Sequence, residues 1–327
     1  MLYPIKFKPR VKERIWGGKA ILERKGKAIG RLAKDKLYGE SWDISGLEGN
    51  ISVVANGFLK KNNLEEIIEV YMGNLIGDKV YEKYGLTFPL LAKTLDCHNI
   101  LSIQVHPDDA LAAERHDSYG KTEMWYVIDA EPGSYIYIGF KDNNITREEF
   151  IKSLNEDTLP EKLNKVEVKA GDVFFLPAGR VHAIGKGIFI AEIQQNSNIT
   201  YRIYDYNRKD KNGNGRELHT ELAKDAIDYK LYSDLKTEYT PCVNEGVKLA
   251  ECQYFSTSVL DIDGEVTYKL ADRDSFSIFI CMGGKATLTD NEGNVTEMKQ
   301  GETILVPATT QEVKIEGNAK LLECFIP

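Results

Sequence analysis

The chain has 327 residues, 42% hydrophobic and 28% charged, with a formal net charge of −8. That length is enough to bury a large core and predicts more than one domain. The acidic balance argues against nucleic acid as a partner, and no apolar run is long enough to span a bilayer. The opening stretch MLYPIKFKPRVKERIWGG lacks the apolar core of a secretory signal. Cys97, Cys242, Cys252, Cys281 and Cys324 are widely spaced, odd in number and form no CxxC, the pattern of reduced thiols. A cytoplasmic location is therefore expected.

In chain order, the first clear element is a helical apolar rhythm over 62–84, with acidic residues near its start. Two strands follow, around ILSIQVHPDD and GKTEMWYV. Residues 145–164 predict a short helical insertion, with Thr146 as its cap and Glu149 three residues on. The runs GSYIYIGF, KVEVKAGDVFFLP and NITYRIYDY alternate as strands between Gly, Asn and Asp turns. Residues 218–229 predict another helix, and 232–247 reads as a linker. Many short strands with such turns predict an all-β fold of sandwich or barrel type with small helical insertions.

A weak internal repeat divides the chain. GDVFFLPAGRVHAI (171–184) and GETILVPATTQEVKI (301–315) share a Gly, a polar residue, an apolar strand, a Pro and a small residue. The first carries His182 five residues after its proline, the second carries Glu312 there, and no histidine follows His219. Two related β-modules are expected: 1–235 with the chemistry, and 236–327 without a metal.

The chemistry-bearing residues cluster in two segments. Gln104 and His106 are two apart, which on a strand puts both side chains on one face. Lys121, Glu123 and Trp125 repeat that alternation on a second strand. With His182, these make two imidazoles, one carboxylate and one amide, a donor set suited to zinc or iron. Gln104 has a second reading as a residue that hydrogen-bonds a ligand, since glutamine is an uncommon zinc ligand. For Lys121 the alternative is a pair with Glu114 or Asp117. His98, His116 and His219 read as surface or structural residues. The basic, Gly/Asn-rich run 207–217 reads as a solvated loop.

Gly171, Pro177, Gly179 and His182 match the second cupin motif, and Gln104, His106 and Glu123 stand in for the first. SIQVHPDD, GKTEMWY and PAGRVHAIG together resemble the type I mannose-6-phosphate isomerases. The resemblance extends along the chain through IWGG, GESWDIS, FPLLAKTLD and TYRIYDYNR. It implies a bicupin, two jelly-roll modules, with one Zn²⁺ per chain. It also implies interconversion of mannose 6-phosphate and fructose 6-phosphate through an enediol or enediolate. The partner implied is a small phosphosugar, with no nucleic acid and no membrane. By the same resemblance Gln104, His106, Glu123 and His182 hold the metal, and Arg202 and Lys121 are catalytic. Arg202 has an alternative in a salt bridge to Asp205 or Asp228. Lys93, Ser102, Trp16, Glu40 and Trp42 match positions at the substrate. Two other readings of the pattern are a non-catalytic sugar-binding or regulatory cupin and a metal-dependent cupin oxygenase. Gln104 in place of histidine, together with Lys121 and Arg202, weighs against the oxygenase. Retention of the whole ligand set weighs against the inert binder.

Overall fold

Strands carry nearly all of the architecture, as expected for an all-β bicupin, and the helices are few and short. The computed structural model describes residues 1–142, 145–209 and 212–327. Packing divides the chain into two units. One comprises Met1–Glu13, Lys19–Thr94 and Glu238–Pro327; the other comprises Arg14–Gly18 and Leu95–Thr237.

The second unit is a sandwich of antiparallel strands. One sheet runs in the order Tyr201–Tyr204, Ile103–Val105, His182–Ile184, Tyr135–Phe140, Leu163–Glu167. Facing it are Val173–Leu176, Glu123–Ala130 and Ile188–Gln195, paired in that order. The period of two sorts the side chains. Ile136, Ile138 and Ile184 share an inner core with Trp125, Val127, Phe174, Leu176, Ile188 and Ile190. Ile103, Val105, Ala183, Tyr201 and Ile203 face the other way, onto Phe150, Leu159, Ala223 and Ile227. The helix Arg147–Asn155 that supplies Phe150 is capped as its sequence predicts: Thr146 accepts a hydrogen bond from Glu149 N at 3.2 Å. The helix Asp109–His116 is not part of the sequence expectation. Its signal is Asp108, whose carboxylate accepts from Leu111 N at 2.9 Å.

The first unit holds the strand order Gly246–Glu251, Ser256–Lys269, Glu312–Phe325, Ser277–Asp290, Thr303–Val306, Ile5–Lys8, Val53–Val54. Its core is made by Leu260, Phe279, Leu288, Ile304, Val313, Leu321 and their neighbours. The division by packing thus differs from a cut at 235/236. Ile5 pairs with Leu305 and Lys6 with Ile304, so the N-terminal strand joins the C-terminal sheet. A pairing across the whole chain leaves no local pattern in the sequence. The helical stretch 62–84 resolves into Leu64–Tyr71, Gly73–Ile76 and Asp78–Tyr84. Met72 at φ 46° and Gly77 at φ 98° interrupt it. A Cβ on Gly77 would lie 2.2 Å from Asp274 O, so glycine is required there.

One buried ion pair stands out in this unit. Lys25 Nζ donates to both oxygens of Asp43 at 2.9 Å and to Gly301 O at 2.7 Å. Burial pushes the Asp43 carboxyl up, against the opposing pull of Lys25 and Ser41. Removing one partner leaves the other charge buried and alone. Lys25→Met is therefore expected to destabilise the protein by about 3–5 kcal/mol, whereas Lys25→Met with Asp43→Leu should recover most of that loss. Urea denaturation of both variants checks this; equal losses in the two would contradict it.

Candidate active site and metal centre

The site is set by register within the second unit. His182 lies opposite Gln104, and Arg202 lies opposite Gln104 on the strand beyond. Directly paired residues of an antiparallel sheet project from the same face. Arg202, Gln104 and His182 therefore form one row, pointing inward because their strand neighbours face the other core. On the facing sheet, Glu123 opposes Gln194 and Trp125 opposes Glu192. His106 enters just beyond the end of the Gln104 strand.

The donor atoms converge. His106, Glu123 and His182 are all buried, and one ligand atom from each lies within 4.8 Å of the others. His182 Nε2 is 3.3 Å from Glu123 Oε1, and His106 Nε2 is 3.6 Å from Glu123 Oε2. Both rings are oriented by backbone carbonyls. His106 Nδ1 donates to Ile199 O at 2.9 Å and His182 Nδ1 donates to Arg180 O at 2.8 Å. Each Nδ1 thus carries a proton and each Nε2 presents its lone pair inward. Burial pushes the His182 pKa down to about 3, so its ring is neutral at pH 7. Trp125 packs edge-on against that ring at 5.2 Å. Gln104 Nε2 donates to His182 Nε2 at 3.2 Å. Because amide O and N are interchangeable by rotation, a half-turn puts Oε1 at the same place.

Lys121 points to this group, as its strand face predicts. Its Nζ is 2.6 Å from Glu123 Oε2, 3.0 Å from His106 Nε2 and 3.7 Å from Glu192 Oε1. Its ion-pair partners are thus Glu123 and Glu192 instead of Glu114 or Asp117. Glu192 is absent from the sequence expectation. It is 2% exposed and accepts from Trp125 Nε1 at 3.1 Å. A lone acid within the apolar run GIFIAEIQQ is the signal that could have found it.

Among the described residues Arg202 forms no salt bridge with Asp205 or Asp228, although the Asp205 charge acts on it. Its Nη1 donates to Glu217 O at 2.9 Å, and its backbone N donates to His219 Nδ1 at 3.1 Å. His219 N returns a bond to Arg202 O at 2.7 Å, so His219 braces this strand. Arg202 Nε is buried and has no hydrogen-bond partner among the described residues. Burial lowers the Arg202 pKa, with Arg216 and Arg208 adding to the effect. Of the 207–217 loop, residues 210 and 211 lie outside the described residues. On its two sides Arg208 and Arg216 converge on Asp205, with Arg216 Nε donating to Oδ2 at 2.8 Å.

The remaining positions divide between the units. Ser102 is buried beside the Gln104 strand, and Trp16 is packed in the inner core of the same unit. Lys93, Glu40 and Trp42 belong to the other unit. Lys93 is buried, and Trp42 Nε1 donates to Glu40 Oε2 at 2.7 Å.

A sandwich whose interior brings together two oriented imidazoles and a carboxylate defines a cupin with the donor set of a metal centre. Residues 5–132 match the model of the phosphomannose isomerase type I catalytic domain, and 246–326 match that of the mannose-6-phosphate isomerase cupin domain. The chain is 36% identical to mannose-6-phosphate isomerase ManA of Bacillus subtilis, over 99% of this chain and 98% of that one. It is 32% identical to mannose-6-phosphate isomerase of Streptococcus mutans, over 98% of each. The crystal structure of mannose 6-phosphate isomerase from Bacillus subtilis superposes with a TM-score of 0.85 at 33% identity, covering 99% of both chains. The chain belongs to the type I mannose-6-phosphate isomerase family.

Asp205 ties the loop that braces Arg202 to the strand. Burial raises its pKa, but the Arg216 and Arg208 guanidiniums outweigh that and hold it below the usual value of 3.8. A lowered folded pKa gives stability that is present above the unfolded value and lost as pH falls through the folded one. Wild type should therefore lose more stability than Asp205→Asn on acidification through this range. Denaturant midpoints measured from pH 6 down to pH 2.5 check this. Parallel curves would remove Asp205 from the acid response.

Proposed function

We propose that the chain is a zinc-dependent isomerase interconverting mannose 6-phosphate and fructose 6-phosphate through an enediolate. The observation that carries the reading is the convergence of His106 Nε2, His182 Nε2 and the Glu123 carboxylate beside the Lys121 ammonium. Family membership supports the substrate.

The donor set fits a divalent cation. Among the described residues neither Glu123 oxygen has a hydrogen-bond partner, although Lys121 Nζ approaches Oε2 to 2.6 Å. Both Nε2 lone pairs face the carboxylate, and the Gln104 amide oxygen reaches the same place by rotation. Gln104, His106, Glu123 and His182 would hold Zn²⁺, giving a site of formal charge +1. The ion would stabilise negative charge developing on the substrate oxygens.

The protein's own groups do the rest. Moving a proton between C1 and C2 leaves an anionic intermediate. Arg202 presents a buried Nε–H with no partner among the described residues, suited to an oxyanion or a phosphate. Lys121 stands between Glu123 and Glu192, where its ammonium is able to exchange a proton with substrate. Burial of His106 and His182 restricts water around the group. Ser102, Lys93, Glu40, Trp42 and Trp16 belong to the substrate side of this reading through the family resemblance alone. The cytoplasm is the compartment we assign. Its support is the wide spacing and odd number of the cysteines; separately, no helix of the described residues is long and apolar enough to cross a membrane.

Chelation should abolish isomerisation in a coupled assay and added zinc should restore it; His182→Ala should lose metal as well as turnover. Arg202→Ala and Lys121→Ala should retain zinc and lose about a hundredfold or more in rate. If Arg202 holds phosphate, KM rises; if it stabilises the intermediate, kcat falls with little change in KM. Full activity in metal-free protein would exclude the reading.

A further inference from the structure

The reach of Lys121 and Glu123 depends on the residue between them. Thr122 is buried, and both of its backbone groups are taken by Gln195. Gln195 Oε1 accepts from Thr122 N at 2.8 Å, and Gln195 N donates to Thr122 O at 3.2 Å. The other end of the same amide continues the chain: Gln195 Nε2 donates to Asp109 Oδ1 at 2.8 Å. That carboxylate oxygen also accepts from Gly120 N at 2.9 Å. Lys121 N donates to Pro107 O at 3.0 Å. Gly120 lies so close that a Cβ would be 2.5 Å from Asp108 C. The clamp extends to the turn before His182, where Ala178 N donates to Thr122 Oγ1 at 3.3 Å. Gly179 N donates to His106 O at 2.9 Å.

We propose that Gln195 and Asp109 are positioning residues of the isomerase. Their hydrogen-bond relay fixes the Gly120–Glu123 backbone, and with it where the Lys121 ammonium and the Glu123 carboxylate stand. The inference rests on the site reading given above. The chemistry of the relay is specific. Position 195 must accept at one end and donate at the other, which an amide of this length does and a carboxylate does not. Asp109 must accept twice, which an amide oxygen also does. Gln195 is 5% exposed, so neither end is replaced by bulk water without rearrangement. The relay bonds end on the backbone of residues 120 and 122 and not on a proposed ligand atom, so their loss moves the reacting groups without deleting any of them.

The test uses the full chain loaded with Zn²⁺ for kinetics and with Co²⁺ for its visible absorption. Gln195→Ala, Gln195→Glu and Asp109→Ala should lower kcat about tenfold to a hundredfold, with KM within about threefold of wild type. They should keep metal content near one per chain and change the Co²⁺ bands. Gln195→Glu conserves volume, so it reports even if the alanine variant folds poorly. Asp109→Asn restores the double acceptor and should recover both kcat and the Co²⁺ spectrum. Wild-type kcat and spectrum in Gln195→Ala and Gln195→Glu would overturn the proposal. So would Asp109→Asn as impaired as Asp109→Ala, or a rate loss that merely follows lost metal and lowered melting temperature. Lys121→Ala separates the two readings. Its full activity would defeat the reaction site itself, whereas its inactivity beside unimpaired Gln195 variants would overturn the positioning role alone.

Discussion

Register between three antiparallel strands is the constraint on which the site depends. His182, Gln104 and Arg202 come from parts of the chain up to 98 residues apart, and pairing alone sets them side by side. A slip of one residue would turn all three outward and bring Ile103, Val105 and Ala183 inward. The apolar core on the far face resists that slip, because those residues already pack with Phe150, Tyr201 and Ile203. Hydrophobic burial on one face therefore fixes the chemistry on the other.

The two repeats put the same geometry to different ends. Leu176 lies opposite Glu123 in one, and Val306 lies opposite Ser277 in the other. Trp125 lies opposite Glu192, and Phe279 lies opposite Glu323. By that correspondence Glu323 stands where Glu192 stands. It is fully buried, accepts from Tyr268 Oη at 2.8 Å and Ser277 Oγ at 3.2 Å, and pairs with Arg273. The second repeat has closed its carboxylate with donors of its own. Where the first has Glu123, the second has Ser277, whose hydroxyl serves that closed carboxylate; among the described residues neither Glu123 oxygen accepts a hydrogen bond. Buried polar groups that are fully satisfied hold a fold together, whereas partly satisfied ones are available for chemistry.

Much of this was legible in the sequence because strand alternation and ligand spacing are local. Gln104-x-His106 and Lys121-x-Glu123 declare their shared faces directly, and Thr146 announces its helix through the acid three residues on. What was not legible was long-range. Glu192 gains its meaning from pairing with Trp125, and His219 from bracing Arg202 through its ring nitrogen. Neither partner is marked in the sequence, although Glu192 stands out as a lone acid in an apolar run. Gln195 is similar: its amide is read only against Thr122 and Asp109. The membership of residues 1–13 and 19–94 in the unit of the C-terminal strands is another such case, since hydrogen-bonded ladders carry no mark of their partner.

That last arrangement bears on the order in which the chain is made. Residues 95–237 form their unit with a single short contribution from earlier sequence, Arg14–Gly18. Most of that sandwich can assemble as soon as its last strands leave the ribosome. Ile5, by contrast, waits for Leu305, 300 residues later. At ordinary synthesis rates that is a delay of roughly 15–60 s. During it the strand Ile5–Lys8 has only the two-residue strand Val53–Val54 to pair with, and its other edge stays open. Its alternation of buried Ile5 and Phe7 with Lys6 and Lys8 keeps charge on one side of the waiting segment, a guard against premature pairing with another nascent chain.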